Sequence, residues 1–282
     1  KDIFAQVGIT ELPQTWDEFL AVSEKIKQAG ITPVNIQLAN GSEFGTTHLM
    51  HQLFVNVEFT RDANQLISDL NENRVKLADV DEFRQALHYM LELKEKGYIN
   101  EDFISTTLEI SHDKFGNGEV AMHPTGDFFL SGLQSKFPDE YPNMNLGFFT
   151  IPFGDSPGAI ALYSGVGVSV NAKAKNKEAA LEFIDFFASK EQQEEYMAKG
   201  PGTTIFADVQ TDANPISRDL AVYMDQGRTF MGLFARLAPW DDLHARKLMQ
   251  ELMLGALTVD GFLQGMDEQM KMIAESKQLP GW

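Results

Sequence analysis

The sequence predicts an α/β fold, richer in helix than in strand and divided into two lobes. Three observations carry this. Segments with helical apolar spacing alternate with short buried apolar runs. A hydrophobic content of 43% and a charged content of 23% lie near globular averages, so the 282 residues can build a sizeable core. A Gly/Pro turn cluster at residues 154–158, GDSPG, interrupts the pattern and marks the best boundary between lobes.

In chain order, residues 2–12 read as a short helix and loop ending at Pro13. Thr15, with Glu18 three residues on, predicts a capping box for a helix whose apolar face is Trp16, Phe19, Leu20 and Ile26, closed by Gly30. Val34 to Leu38 predicts a buried strand, followed by a loop that includes Phe44 and an amphipathic segment from His48 to Asn56. Phe83, Leu87, Met90 and Leu91 face one side of a long helix ended by Gly97. Next comes DKFGNGEVAMHPTGDFF: a helix end at Phe115 to Gly118, a short strand over Glu119 to Met122, then a turn carrying Asp127, Phe128 and Phe129. Leu146 to Ile151 predicts another strand, and Val166, Val168 and Val170 a period-two strand bearing little on its other face. Ala180, Phe183, Ile184 and Phe187 form an i, i+3, i+4, i+7 face. A weaker helix spans residues 207–224, interrupted at Pro215. Trp240 precedes a helix with Leu248, Met249 and Leu252 on one side. Thr258 caps a last helix striped by Val259, Phe262, Leu263, Met266, Met270 and Ile273.

Charge and composition exclude several functions. With 41 acidic and 23 basic residues the net charge is −18, which opposes binding to nucleic acid phosphates. Absence of cysteine removes disulfides, thiolate nucleophiles and Cys-based zinc sites. His48 and His51 occur as HLMH, without the Glu of a metalloprotease helix, and a zinc site needs three or four converging ligands. The sequence contains neither a G-x-S-x-G elbow nor a P-loop, and GVGVSV lacks dinucleotide spacing. A glycosidase needs two facing carboxylates, for which Asp127 with Glu43 is the pair to test. No cofactor is expected.

The aromatic residues carry more information. Phe44, Phe128 and Trp240 each sit beside polar loop residues and not within a clean helical stripe. An aromatic face can take the apolar side of a sugar ring while a carboxylate such as Asp127 holds its hydroxyls. The structural alternative is that Phe128 and Phe129 are core residues at the start of a helix, with Asp127 as its N-cap.

The order of motifs is that of a family. TWDEF, F-x-x-G-E-V-A-M-x-x-x-G-D-F, I-P-F-G, and GVGVSVNAKAKNKEAALEFIDFFASKEQQEEYMAKGPGTT, followed by a late tryptophan, resemble the family 1 extracellular solute-binding proteins of ABC importers, of the sugar- and maltose-binding type. The resemblance spans the chain, and NKEAALEFIDFFASKEQQ is its most specific part. It implies a two-lobed periplasmic-binding-protein-like fold (type II) that closes on sugar by hinge motion. It further implies that one lobe is incomplete here, the N-terminal part of the first lobe being expected before the first residues of this sequence. Residues 1–158 and 225–282 would form the C-terminal-type lobe and 159–224 the remaining part of the N-terminal-type lobe. The resemblance further implies Phe128, Trp240 and Phe44 as stacking rings and Asp127 as a hydroxyl acceptor. It places Ser164 and Gly165 in a segment that approaches ligand with backbone, and Gly202 and Thr203 on a loop bordering the cleft. Phe128 stands where the family often has tryptophan. The expected protein is an extracytoplasmic monomer, free or lipid-anchored, that binds a sugar or oligosaccharide and delivers it to a membrane permease without catalysis. A carbohydrate hydrolase using Asp127, or a receptor for another solute, is the alternative. Arg228 and Arg236 lie close enough in sequence to leave an anionic ligand open.

Overall fold

The computed structural model describes residues 1–39, 41–163, 167–199, 204, 206, 208–209 and 216–282. The chain opens with α1 (Asp2–Gln6) and then α2 (Trp16–Gln28). Thr15 caps α2 as predicted, its hydroxyl accepting from the Glu18 amide at 3.2 Å. The return bond of the capping box is displaced by one residue: the Glu18 carboxylate accepts from the Gln14 amide at 2.7 Å. The buried face of α2 begins at Trp16, which stacks on Tyr89 with ring centroids 3.9 Å apart and donates its indole N–H to Glu92 at 2.8 Å.

Strand β1 (Thr32–Val34) leads to α3 (Phe44–Phe54), α4 (Ala63–Asn71) and α5 (Asp81–Glu95). Then follow α6 (Leu108–Gly116), β2 (Val120–Met122), α7 (Phe129–Lys136), β3 (Ile160–Leu162), α8 (Lys177–Phe187), α9 (Lys190–Lys199) and α10 (Ser217–Asp225). The chain ends with β4 (Thr229–Met231), a 3-10 turn at Leu233–Arg236, α11 (Asp242–Met253) and α12 (Val259–Ser276). Strands β1 and β2 pair in parallel, Thr32 opposite Val120, and β3 pairs in parallel with β4, Ile160 opposite Thr229.

The main core lies around β1 and is built by α2, α3, α4, α5, α11 and α12. Phe54, Phe83 and Phe262 are fully enclosed in it, and Phe54 stacks on Phe83 at 4.6 Å. Burial of such side chains stabilises the fold by roughly 1.5–3 kcal/mol each. The small cluster of Val55, Ala159 and Ala161 beneath Phe230 therefore contributes little by comparison, but it ties the β3–β4 pair to the end of α3. A third cluster joins Leu130, Leu133, Tyr141 and Ile216.

Several predicted elements shift. Regular pairing on the first strand stops at Val34. Residues 35–38 stay buried, with Ile36 N–H donating to the Asn100 side chain and Leu38 N–H to the Phe103 carbonyl. Phe44 is not in a loop but is the first residue of α3. Gly45 permits this, because a Cβ there would collide with the Gln37 side chain and its carbonyl. Leu146 to Ile151 forms no strand. Side chains of α10 take up the backbone donors instead, Phe148 N–H to Asp219 and Thr150 N–H to Tyr223. The second parallel pair begins at Ile160, before the predicted valine strand. Residues 167–170 pair with nothing among the described residues, Val168 is exposed, and Val166 lies outside the described residues. The described part of the predicted 207–224 helix is α10.

Candidate functional site

Helix α3 is buried on nearly all sides, and its half-buried residues are Phe44, His48 and Gln52. At spacing i, i+4, i+8 they stand one above another as a single ridge. Loops that follow β2, β3 and β4 bring further side chains to this ridge. Phe128, after β2, meets the His48 ring edge-on at 5.6 Å, and Phe44 meets His48 at 5.2 Å. Tyr163 follows β3 directly and lies 5.6 Å from His51. Phe234, after β4, lies 4.3 Å from His51 on one side and stacks on Trp240 at 3.8 Å on the other. All three loops leave the carboxyl ends of parallel strands, where open α/β sheets place their ligands.

Helix α11 supplies the charge. Asp241 caps it by accepting from the amides of Leu243 and His244, which fixes the next residue, Asp242, against α3. Arg246 grips Asp242 Oδ2 through both Nε, at 2.7 Å, and Nη2, at 2.6 Å, while its guanidinium lies over the Phe44 ring at 5.8 Å. Asp242 Oδ1 faces His51 Nε2 at 3.4 Å without a well-formed hydrogen bond. Burial works against ionisation of Asp242, but His51 and Arg246 outweigh it and hold the carboxyl down at about 2. Burial keeps His51 itself neutral near pH 7, so Arg246 is the cation that matters there. His48 is lowered to about 4 by burial first, then by His51 and Arg246.

Four buried polar atoms at this place make no hydrogen bond: His48 Nδ1, His51 Nε2, Trp240 Nε1 and Asp242 Oδ1. Buried polar groups are nearly always paired, and leaving one unpaired costs about 1–3 kcal/mol. All four lie among the rings gathered at α3 and α11. Two surface depressions elsewhere, of about 300 and 470 Å³, are lined by residues such as Lys76, Asp267 and Lys271 in one and Lys27, Asn100 and Lys114 in the other. Neither has an aromatic lining residue, so neither offers a stacking platform.

Of the sequence candidates, the structure brings Phe44, Phe128 and Trp240 to this one face. Phe128 is 48% exposed, whereas Phe129 points into the interior beside His112. The two adjacent phenylalanines therefore divide between surface and core. Gly126 allows the Phe128 ring to fold back over the turn, since a Cβ at 126 would come within 2.8 Å of it. Asp127 is half-buried next to Phe128 and is not the N-cap of α7, a position held by Phe128 without a side-chain bond. Ser164, Gly165, Gly202 and Thr203 lie outside the described residues. Sequence reasoning missed Tyr163, Phe234, Asp242 and Arg246, and weighed His48 and His51 only as metal ligands. Among the described residues no group of three or more potential metal ligands converges. Arg236 is engaged with Glu58 at 2.6 Å and with Asn64. Arg228 donates to the Gly158 carbonyl and lies over Tyr223.

The comparison with known families decides the lineage: the model of the bacterial extracellular solute-binding proteins matches residues 1–194. The chain belongs to that family. It is 24% identical over 217 residues to the multiple sugar-binding protein of Streptococcus mutans, a match covering 76% of this chain and 50% of that protein. The chain spans about half the length of the curated relatives it matches. Among solved structures, a chitin oligosaccharide binding protein superposes with a TM-score of 0.75 at 22% identity, over 98% of this chain and 68% of the other. The solute-binding protein RafE in complex with raffinose gives 0.75 at 18%, over 97% and 69%. These likenesses fix the fold, the two-lobed solute-binding architecture. No helix among the described residues is long and apolar enough to cross a membrane.

Proposed function

We propose that this family member is the sugar-binding part of an extracytoplasmic receptor, which captures a sugar or oligosaccharide and passes it to the permease of an ABC importer. The observation that carries the reading is the meeting of Phe44, Phe128, Tyr163 and Trp240 with buried, unpaired polar atoms on one face. Rings supply flat apolar contact for a pyranose, and the polar atoms supply donors and acceptors for its hydroxyls. Similarity to sugar-binding relatives favours the same ligand class. Capture and closure, with no bond broken, is the mechanism, and closure follows the ligand's preference for the closed state. The protein works as a monomer outside the cytoplasm, free or lipid-anchored.

In this reading residues 1–158 and 225–282 belong to one lobe and 159–224 to the other. Helix α8 supports a second lobe, because Leu181, Phe183, Phe186 and Phe187 leave it apolar on more than one side. A helix of that kind is normally buried. Ser164, Gly165, Gly202 and Thr203 would add contacts from that side, and Asp127 would accept hydroxyls beside Phe128.

A thermal-shift screen of a neutral sugar panel on the full-length protein tests the reading, since a ligand bound only by the native state raises its stability. Calorimetry then follows Trp240→Ala, expected to weaken sugar binding by roughly 1–3 kcal/mol. Unchanged affinity removes Trp240 from the site. Release of reducing sugar from oligosaccharides would replace the receptor reading with the hydrolase.

A further inference from the structure

Two large rings at the ridge of α3 stay open to solvent: Phe128 is 48% exposed and Tyr163 46%. Single exposed apolar residues are ordinary. These two are held in the same way. Each lies on a glycine: a Cβ at Gly126 would come within 2.7 Å of the Phe128 ring, and one at Gly232 within 2.8 Å of the Tyr163 ring. Each also packs against a histidine of α3 with centroids 5.6 Å apart, Phe128 on His48 and Tyr163 on His51. The backbone that carries Tyr163 is fixed as well. Gly232 N–H donates to the Leu162 carbonyl at 2.7 Å, and Ala161 N–H donates to the Gln52 side chain at 3.4 Å. A ring that is exposed yet already seated loses little conformational freedom when it meets a ligand.

The two rings are separate platforms. Phe128 stands towards the N-terminal end of α3, where Phe44 also meets His48, and Tyr163 stands towards its C-terminal end. No ring contact joins Phe128 to Tyr163 among the described residues. A pyranose is similar in size to one aromatic ring, so one sugar covers one platform. We propose that Tyr163 is a length-selecting residue, which stacks a second sugar ring and makes the site prefer two or more linked sugars to a monosaccharide. The proposal rests on the sugar-binding reading above and refines it. Phe128, with Asp127 beside it, takes the first sugar, and Tyr163 takes a later one on its flat apolar face. Gln52, half-buried on the same ridge, is engaged through Oε1 by Ala161, which leaves its amide nitrogen to donate to a hydroxyl.

Calorimetry on the full-length protein compares each monosaccharide with its longer homologues in three series: galactose to raffinose and stachyose, N-acetylglucosamine to chitotetraose, and glucose to maltotetraose. In a series that binds, wild type should hold the longest member about tenfold or more tighter than the monosaccharide, the scale of one added stacked ring. Tyr163→Ala should bring this ratio close to one. Tyr163→Phe keeps the ring and should keep the ratio, which separates stacking from a role of the hydroxyl. Melting of the unliganded variants shows whether each is folded, and the ratio is read within one variant, so a general loss of affinity cancels. A ratio near one in wild type, an unchanged ratio in Tyr163→Ala, or its loss in Tyr163→Phe overturns this inference and leaves the sugar-binding reading standing. Binding of no member of any series overturns both.

Discussion

Helices α12 and α8 are alike in pattern and opposite in circumstance. Both carry apolar residues at helical spacing. In α12, Phe262, Met266 and Met270 are at most 1% exposed, enclosed by α5 and α11. In α8, Phe183 is 56% exposed and Phe187 39%; their rings stack on each other, 6.2 Å apart, and Tyr196 of α9 meets Phe187 edge-on. Thr258 caps α12 by accepting from the Gly261 amide, whereas Asn176 at the start of α8 makes no side-chain cap. Periodicity thus reports which side of a helix is apolar and says nothing of what covers it.

The contrast can be broken most directly by truncation in the two stripes. Phe262→Ala is expected to lower the stability of the 282-residue chain by about 3–5 kcal/mol, while Phe183→Ala should change it by under about 0.5 kcal/mol in urea unfolding. A cost of several kcal/mol for Phe183→Ala would show that α8 is covered in solution.

Acid should act on the well-covered side first. His48 and His123, lowered by burial to about 4 and about 3, both contact that region, and α8 and α9 hold no histidine. The unfolded chain takes up these protons as pH falls through about 6.5, and the folded chain only near the lowered values. Stability is therefore full above about pH 6.5 and declines below it, by about 3 kcal/mol for each of the two histidines at pH 4. Denaturation midpoints measured across that range, with and without His123→Gln, read the effect. A flat profile would mean that the histidines are solvated.

The smallest expected difference concerns the caps. Thr258→Ala should cost ~1 kcal/mol and Asn176→Ala almost nothing, because only the first removes a bond to an otherwise unpaired helical amide. Equal costs in thermal melts would bring the two helices closer together than their exposures imply.

Much of the fold was legible because local rules agreed with one another. Thr15, Glu18 and Trp16 marked α2, and Thr258 with its stripe marked α12, since cap and periodicity pointed to the same start. Strand positions were harder. Each of the four has three residues, too short for alternation to register, and the Val166–Val170 pattern drew attention away from Ile160. That misplacement also hid Tyr163, which belongs to the site only because it follows β3. Phe44, Phe128 and Trp240 were accessible as aromatics outside clean stripes. Asp242 and Arg246 left an i, i+4 trace on α11, but such pairs are usually solvated surface contacts. Only the packing of α11 against α3 turns this one inward.

The parallel pairing of β3 with β4 has a topological consequence. Residues 163–228 leave from the end of one strand and return to the start of its neighbour, so the strand residues that bound this excursion, Leu162 and Thr229, are held within about 10 Å of each other by strand spacing and rise. Closing such a loop costs free energy that grows only with the logarithm of its length. The excursion can therefore lengthen, shorten or exchange its contents while its two attachment points keep their register. The packing of α3 in the main core does not run through this excursion, and of its described residues Tyr163, next to the anchorage, is the one that meets His51.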